Sequence, residues 1–211
     1  MKIRNRTMIP VLLALPVTIM IAGTLAADEL AEREQAARQA SGEFVKQLGG
    51  ALKKALTDAG PEAAIGVCRD IAPQITGKIS RYNGWRMTRV SSKVRNPLLG
   101  MPDAWEQKVL SDFERRAGQG EKYPDMVFSE AVEESGVGYY RFMKPIPTQP
   151  LCLTCHGSDE QLPEGVKAKL ASDYPMDRAR GYRVGELRGA VSIKQPLAIP
   201  LQAPSRLVDL P

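Results

Sequence analysis

Two cysteines and the chain's single histidine fall within five residues, Cys152-Leu153-Thr154-Cys155-His156. Nothing else in the 211 residues constrains the fold so tightly. Two thiols three positions apart, with an imidazole after the second, suit three chemistries. Haem c is fixed by thioether bonds from two thiols to the vinyl groups on one porphyrin edge. The adjacent histidine then turns under the ring and binds iron from the proximal side. A redox dithiol shares the spacing but normally opens a helix after a strand. Here Pro150 precedes the pair and Gly157-Ser158-Asp159 follows it, which places the motif on a loop. Structural zinc takes a Cys₃His set, which Cys68, Cys152, Cys155 and His156 would supply. Adjacent residues such as Cys155 and His156 seldom face one tetrahedral ion, so the spacing favours one covalently attached haem c.

The N-terminus agrees with that reading. Lys2, Arg4 and Arg6 precede a stretch without charge from Thr7 to Ala27, ending in the small residues Ala22-Gly23-Thr24-Leu25-Ala26-Ala27. This is the form of a secretory signal over residues 1–26, with an uncleaved anchor as the alternative, since the stretch is almost long enough to span a bilayer. Pro10, Pro16 and the small-residue end favour cleavage. Export, to a periplasm or its equivalent, is also where haem c is attached. The formal charge of +5 counts the three basic residues of the signal, so the mature chain is close to neutral. Such a surface gives no footprint for nucleic acid or anionic lipid. About 185 residues suit one domain with its own core, and no membrane span is expected after cleavage.

The pattern beyond the signal reads as α+β. A long helix is expected from Asp28 to Asp58, with Leu30, Phe44, Val45, Leu48, Leu52 and Leu56 as its stripe and a solvated first half. Gly60-Pro61 stops it and starts a second helix to about Ser80. On that helix Ala64, Cys68, Ile71, Ile75 and Ile79 share one face, so Cys68 is expected in the core, and Pro73 should bend the helix. Trp85 to Val94 reads as a strand. Asp103 and Glu106 form a capping box ahead of a helix with the face Trp105, Val109, Phe113. Met126 to Glu134 and Val137 to Ile146 read as a hairpin about Ser135-Gly136. A short helix over Pro163 to Ser172 and a last strand over Arg188 to Gln195 complete a domain of residues 27–196, followed by a Pro-rich tail, 197–211. Helices without regular strand–helix alternation imply an antiparallel sheet.

With His156 proximal, no second histidine remains for the other face of the iron. The remaining candidates are Met87, Met101, Met126, Met143, Met176, loop lysines and Cys68, or an open position. Met143, on a strand near the motif, is the conventional cytochrome choice. A free cysteine on an apolar face is also an ordinary small hydrophobe. The runs AAIGVCRDIAPQI, RVSSKVRNPLLGMPDAWE, YYRFMKPI ahead of CLTCHG, and RGAVSIKQP resemble a bacterial c-type haem family with a PAS-like fold. That family, first catalogued as a domain of unknown function, occurs alone or as a sensor module of signalling proteins. The resemblance runs in the same order over roughly Glu43 to Pro196. It implies a PAS-like antiparallel sheet with long N-terminal helices and a loop-borne haem c. It also implies axial ligation by His156 and Cys68, with Cys152 and Cys155 as thioether anchors. Ferric iron would deprotonate and neutralise a thiolate in an apolar pocket, and anionic sulfur would lower the reduction potential.

Arg89, Lys93 and Arg95 are candidates for meeting the haem propionates. Three functions fit one such site: an exported electron carrier, a redox or gas sensor working through a separate partner, and a zinc-stabilised structural module. No second titratable constellation surrounds the motif, so catalysis is not expected.

Overall fold

The computed structural model describes residues 19–202. Most of the expected signal segment, and the tail beyond Gln202, lie outside that range. Helix α1 spans Ile19–Ala59, α2 Pro61–Gly66, a π turn Val67–Ile71 and α3 Ala72–Asn83. Strand β1 covers Arg86–Val90, followed by α4 at Pro97–Gly100, α5 at Ala104–Gly118 and a 3₁₀ turn at Tyr123–Asp125. Strands β2 (Phe128–Glu134) and β3 (Val137–Pro147) form a hairpin. A second 3₁₀ turn at Pro150–Cys152 leads into α6 at Leu153–His156, then α7 at Glu164–Asp173 and β4 at Leu187–Pro196. Among the described residues no helix is long and apolar enough to cross a membrane.

The four strands make one antiparallel sheet in the order β1-β4-β3-β2, an α+β arrangement consistent with a PAS-like domain. The hairpin turns at Ser135 and Gly136, both at positive φ (53° and 78°), the pairing that matches the twist of its strands. Strand alternation sends Met87, Phe142 and Ile193, opposed in register, to one face. There they pack on Ala37, Ala40 and Phe44 of α1 and on Ile75 and Ile79 of α3. The other face carries Val90, Met143 and Ala190 against Val109, Leu110 and Phe113 of α5. Helix α5 starts where expected: Glu106 N–H donates to Asp103 Oδ1, and Asp103 N–H donates to Glu106 Oε2, each at 2.8 Å.

The β1–β4 seam closes around Gly189. Its φ is +154°, and a Cβ there would lie 2.3 Å from the Val90 carbonyl oxygen. Backbone cannot yield as a flexible side chain does, so Gly189→Ala should cost about 1–3 kcal/mol in urea unfolding. A loss below about 0.5 kcal/mol would show that the strands are not so close.

Four sequence expectations change. The first half of α1 is not solvated: Arg33, Ala37, Ala40 and Ser41 are buried, while Val45 is 46% exposed. Alanines let the helix lie close on the sheet. Arg33 is admitted because it donates to Gln195 and to the carbonyls of Leu197 and Ile199, and pairs with Glu29. The strand expected to Val94 ends at Val90, where the chain leaves the sheet for α4. The single helix expected to Ser80 is broken by the π turn. Pro73 has no N–H for the Arg69 carbonyl and its ring crowds that group; the widened turn, closed by Ala72 N–H to Val67 O, relieves the conflict. The extra residue also displaces Cys68 from the Ile75–Ile79 stripe, so Cys68 is half-buried and outside both sheet cores, and Ile71 is exposed. Finally, the motif winds into helical turns instead of lying on an open loop.

Candidate functional site

Residues 150–156 turn because the motif's functional groups must share one side. Positions i, i+3 and i+4 of a helical turn are neighbours, and these are Cys152, Cys155 and His156. The turn is pinned at its end. Gly157 N–H donates to Leu153 O, Gly181 N–H to Gly157 O at 2.8 Å, and Tyr182 N–H to His156 O at 2.9 Å. Gly157 is buried, and a Cβ there would meet the Leu153 carbonyl at 2.7 Å. Arg95 holds the same turn from the β1 side. Its guanidinium pairs with Asp177 at 3.2 Å, both side chains being buried, and donates to the carbonyls of Cys155 and Ala179.

The imidazole of His156 is set by the Ala179 carbonyl, which lies 2.7 Å from Nδ1. A carbonyl only accepts, so Nδ1 carries the proton and Nε2 carries the lone pair. Burial, reinforced by the nearby Arg188 and Arg95, holds the ring's pKa well below its usual range. The neutral ring with an orienting carbonyl behind it is the arrangement that metal-binding histidines use. Arg188 Nε stands 3.3 Å from Nε2, and Tyr182 meets the ring edge-on at 6.1 Å.

Around the thiols a third apolar cluster forms from Ile65 of α2, Leu162, Val166 and Leu170 of α7, and Tyr174, with Cys155 packed against it. Burial pushes the Cys155 thiol up to about 11, with Cys152, Cys68 and Glu62 adding to the effect. That is opposite to the lowered pKa of a reactive dithiol. Cys68 lies within electrostatic reach of Cys155, Tyr174 and Arg188. Its π turn is tied to α7 by the Arg69–Asp173 pair at 2.8 Å. A turn of this kind is rare and often marks a functional position. Among the described residues no group of three or more His, Cys, Asp or Glu side chains is arranged to hold a metal ion, so the placement does not favour the Cys₃His zinc alternative.

The other ligand candidates separate clearly. Met87 is in the α1 face of the sheet, and Met126 and Met143 are in the α5 face, all buried and packed. Met101 and Met176 are 58% and 68% exposed. Met143 is therefore core, despite its closeness in sequence to the motif. Of the three propionate candidates, Arg95 is already engaged by Asp177 and two carbonyls, and Lys93 lies exposed over the Tyr182 ring at 4.9 Å. Arg89 stands over Phe44 at 5.7 Å and makes no ion pair among the described residues. Sequence reasoning missed Arg188, Asp177 and the Ala179 carbonyl. Arg188 opens the RGAVSIKQP run, which was the one signal available.

The set fits a c-type haem. Two thiols and a neutral imidazole share one turn, a third thiol approaches from the π turn, and arginines surround them. A family model described as Tll0287-like matches residues 20–196. The crystal structure of the cyanobacterial heme-protein Tll0287 superposes with a TM-score of 0.58 at 25% sequence identity, covering 83% of this chain and 98% of that one. No curated protein matches.

Proposed function

Because this chain belongs to the Tll0287-like family, we propose that it is an exported monohaem c-type cytochrome acting in electron transfer or redox sensing. Cys152 and Cys155 hold the porphyrin by thioether bonds, His156 offers Nε2 to the iron, and Cys68 offers a thiolate to the opposite side. The haem supplies a one-electron centre. The chain positions it, keeps the imidazole neutral and in one tautomer, and packs apolar side chains against Cys155. With His156 and Cys68 both on a haem iron no position would be free for substrate, so the proposal is a carrier or switch and not an enzyme.

The observation that carries this reading is the state of His156. Its Nδ1 is fixed by Ala179 O at 2.7 Å, so Nε2 keeps its lone pair beside both thiols, with the Arg188 guanidinium at 3.3 Å upon it. The test is a pyridine haemochrome spectrum on protein exported with the cytochrome c maturation machinery, taken after acid–acetone extraction. Haem that resists extraction, with the shifted band of saturated vinyls, is expected. Extractable or absent haem would overturn the proposal.

Cys68→Ala tests the sixth ligand. The ferric variant should bind added imidazole at least about tenfold more tightly than the wild type, a difference of about 1.4 kcal/mol. Identical spectra and affinities would remove Cys68 from the iron. Carbon monoxide binding to the reduced wild-type protein would favour sensing, because it requires the thiolate to leave; no binding would favour electron carriage.

A further inference from the structure

The arginines beside the motif do not all have partners. Arg95 is satisfied by Asp177. Arg188 is largely buried and forms no ion pair among the described residues; it donates to Ser91 Oγ at 3.2 Å and to His156 Nε2 at 3.3 Å, and stacks on Tyr182 at 5.3 Å. Its titratable neighbours are the cations Arg95 and Arg89 and, with the opposite effect, Tyr182 and Cys68. Arg89 also lacks a carboxylate among the described residues. A guanidinium partly withdrawn from water without an anion is unfavourable. Two such cations lie beside a motif whose expected cofactor carries two carboxylates.

We infer that Arg188 and Arg89, in place of Lys93 and Arg95, bind the two haem propionates, and that the Arg188–His156 hydrogen bond is the contact Arg188 leaves when iron takes Nε2. This rests on the haem c reading above. Nε2 has a single lone pair, so it cannot accept from Arg188 and bind iron together. The guanidinium fork matches a carboxylate in two parallel hydrogen bonds, which a hydroxyl and an imidazole nitrogen do not satisfy. Before attachment, Arg188 donates to the imidazole lone pair; afterwards it turns to a carboxylate within the same pocket.

The test uses the full exported chain as wild type, Arg188→Gln, Arg188→Lys and Arg89→Gln. Covalent haem per chain is measured first. Wild-type protein without covalent haem would be a failure of the haem reading, and this first measurement detects it independently of the propionate contacts. The readouts for those contacts are the propionate bending band in the resonance Raman spectrum and the ferric-to-ferrous ratio at a fixed potential. Arg188→Gln should move the band and shift the ratio about tenfold toward ferric, about 59 mV for one electron. Arg89→Gln should move the band too. Arg188→Lys keeps the charge but loses the fork, so the ratio should stay within about twofold of wild type while the band moves part of the way. A band and ratio in Arg188→Gln that match wild type would overturn the inference. If that variant does not accumulate, an unmoved band in Arg188→Lys would overturn it equally.

Discussion

Protein carrying Cys152→Ser and Cys155→Ser together should release its haem to acid acetone, whereas the wild-type chain should retain it. A serine hydroxyl does not add to a vinyl group under the conditions of attachment, so both covalent links disappear while His156 and Cys68 remain. Haem retained after extraction should fall at least about tenfold, and what the variant binds will behave as an ordinary dissociable ligand. Each single serine variant loses one link and should show a haemochrome band between those of the doubly saturated and the unsaturated porphyrin. The fold is a useful internal control. Neither cysteine belongs to the two sheet cores, so far-ultraviolet circular dichroism of the double variant should match the wild type. Retention of haem by the double variant would show that the attachment lies elsewhere.

The second large effect is on stability. Arg95→Leu leaves Asp177 as a buried carboxylate, 1% exposed, with the partly exposed Arg180 at 3.2 Å as its remaining cation. Breaking a buried pair from one side costs about 3–5 kcal/mol; Arg180 offsets part of this for Asp177, while the carbonyls of Cys155 and Ala179 lose a donor at the same time. The urea midpoint should fall accordingly. Removing both charges, as Arg95→Leu with Asp177→Leu, should recover part of the loss, because neither ion of the pair then remains. A loss below about 1 kcal/mol in the single variant would show that water reaches Asp177 and that the motif is not held by this pair.

How much of this was legible in the sequence differs by element. The hairpin strands and α5 were, because alternation, a two-residue turn and a capping box act locally. The buried half of α1 was not, since the surface it places on the sheet consists of alanines and one arginine whose partners across the sheet are over 160 residues away. Cys152, Cys155 and His156 were singled out by their spacing. The acceptor that fixes the imidazole was not, because it is a backbone carbonyl 23 residues downstream in a segment without regular structure. Arg188 was hidden similarly: a charged residue at the start of a strand gives no sign that it will be enclosed. The Asp177 partner of Arg95 was hidden too, since spacing does not show whether a carboxylate already faces an arginine.

The π turn at Val67–Ile71 has a consequence for descent. It holds one residue more than an α turn, and one residue is about 100° of helix. Such a turn is what a single-codon insertion into an older regular helix leaves behind, with the segments on either side keeping their neighbours: α2 on α7, and α3 on the sheet. Lineages could therefore gain or lose the cysteine's role without repacking a core. Relatives that share the sheet but differ by one residue between Pro61 and Pro73 should differ in what meets the motif histidine from across the pocket, and not in fold.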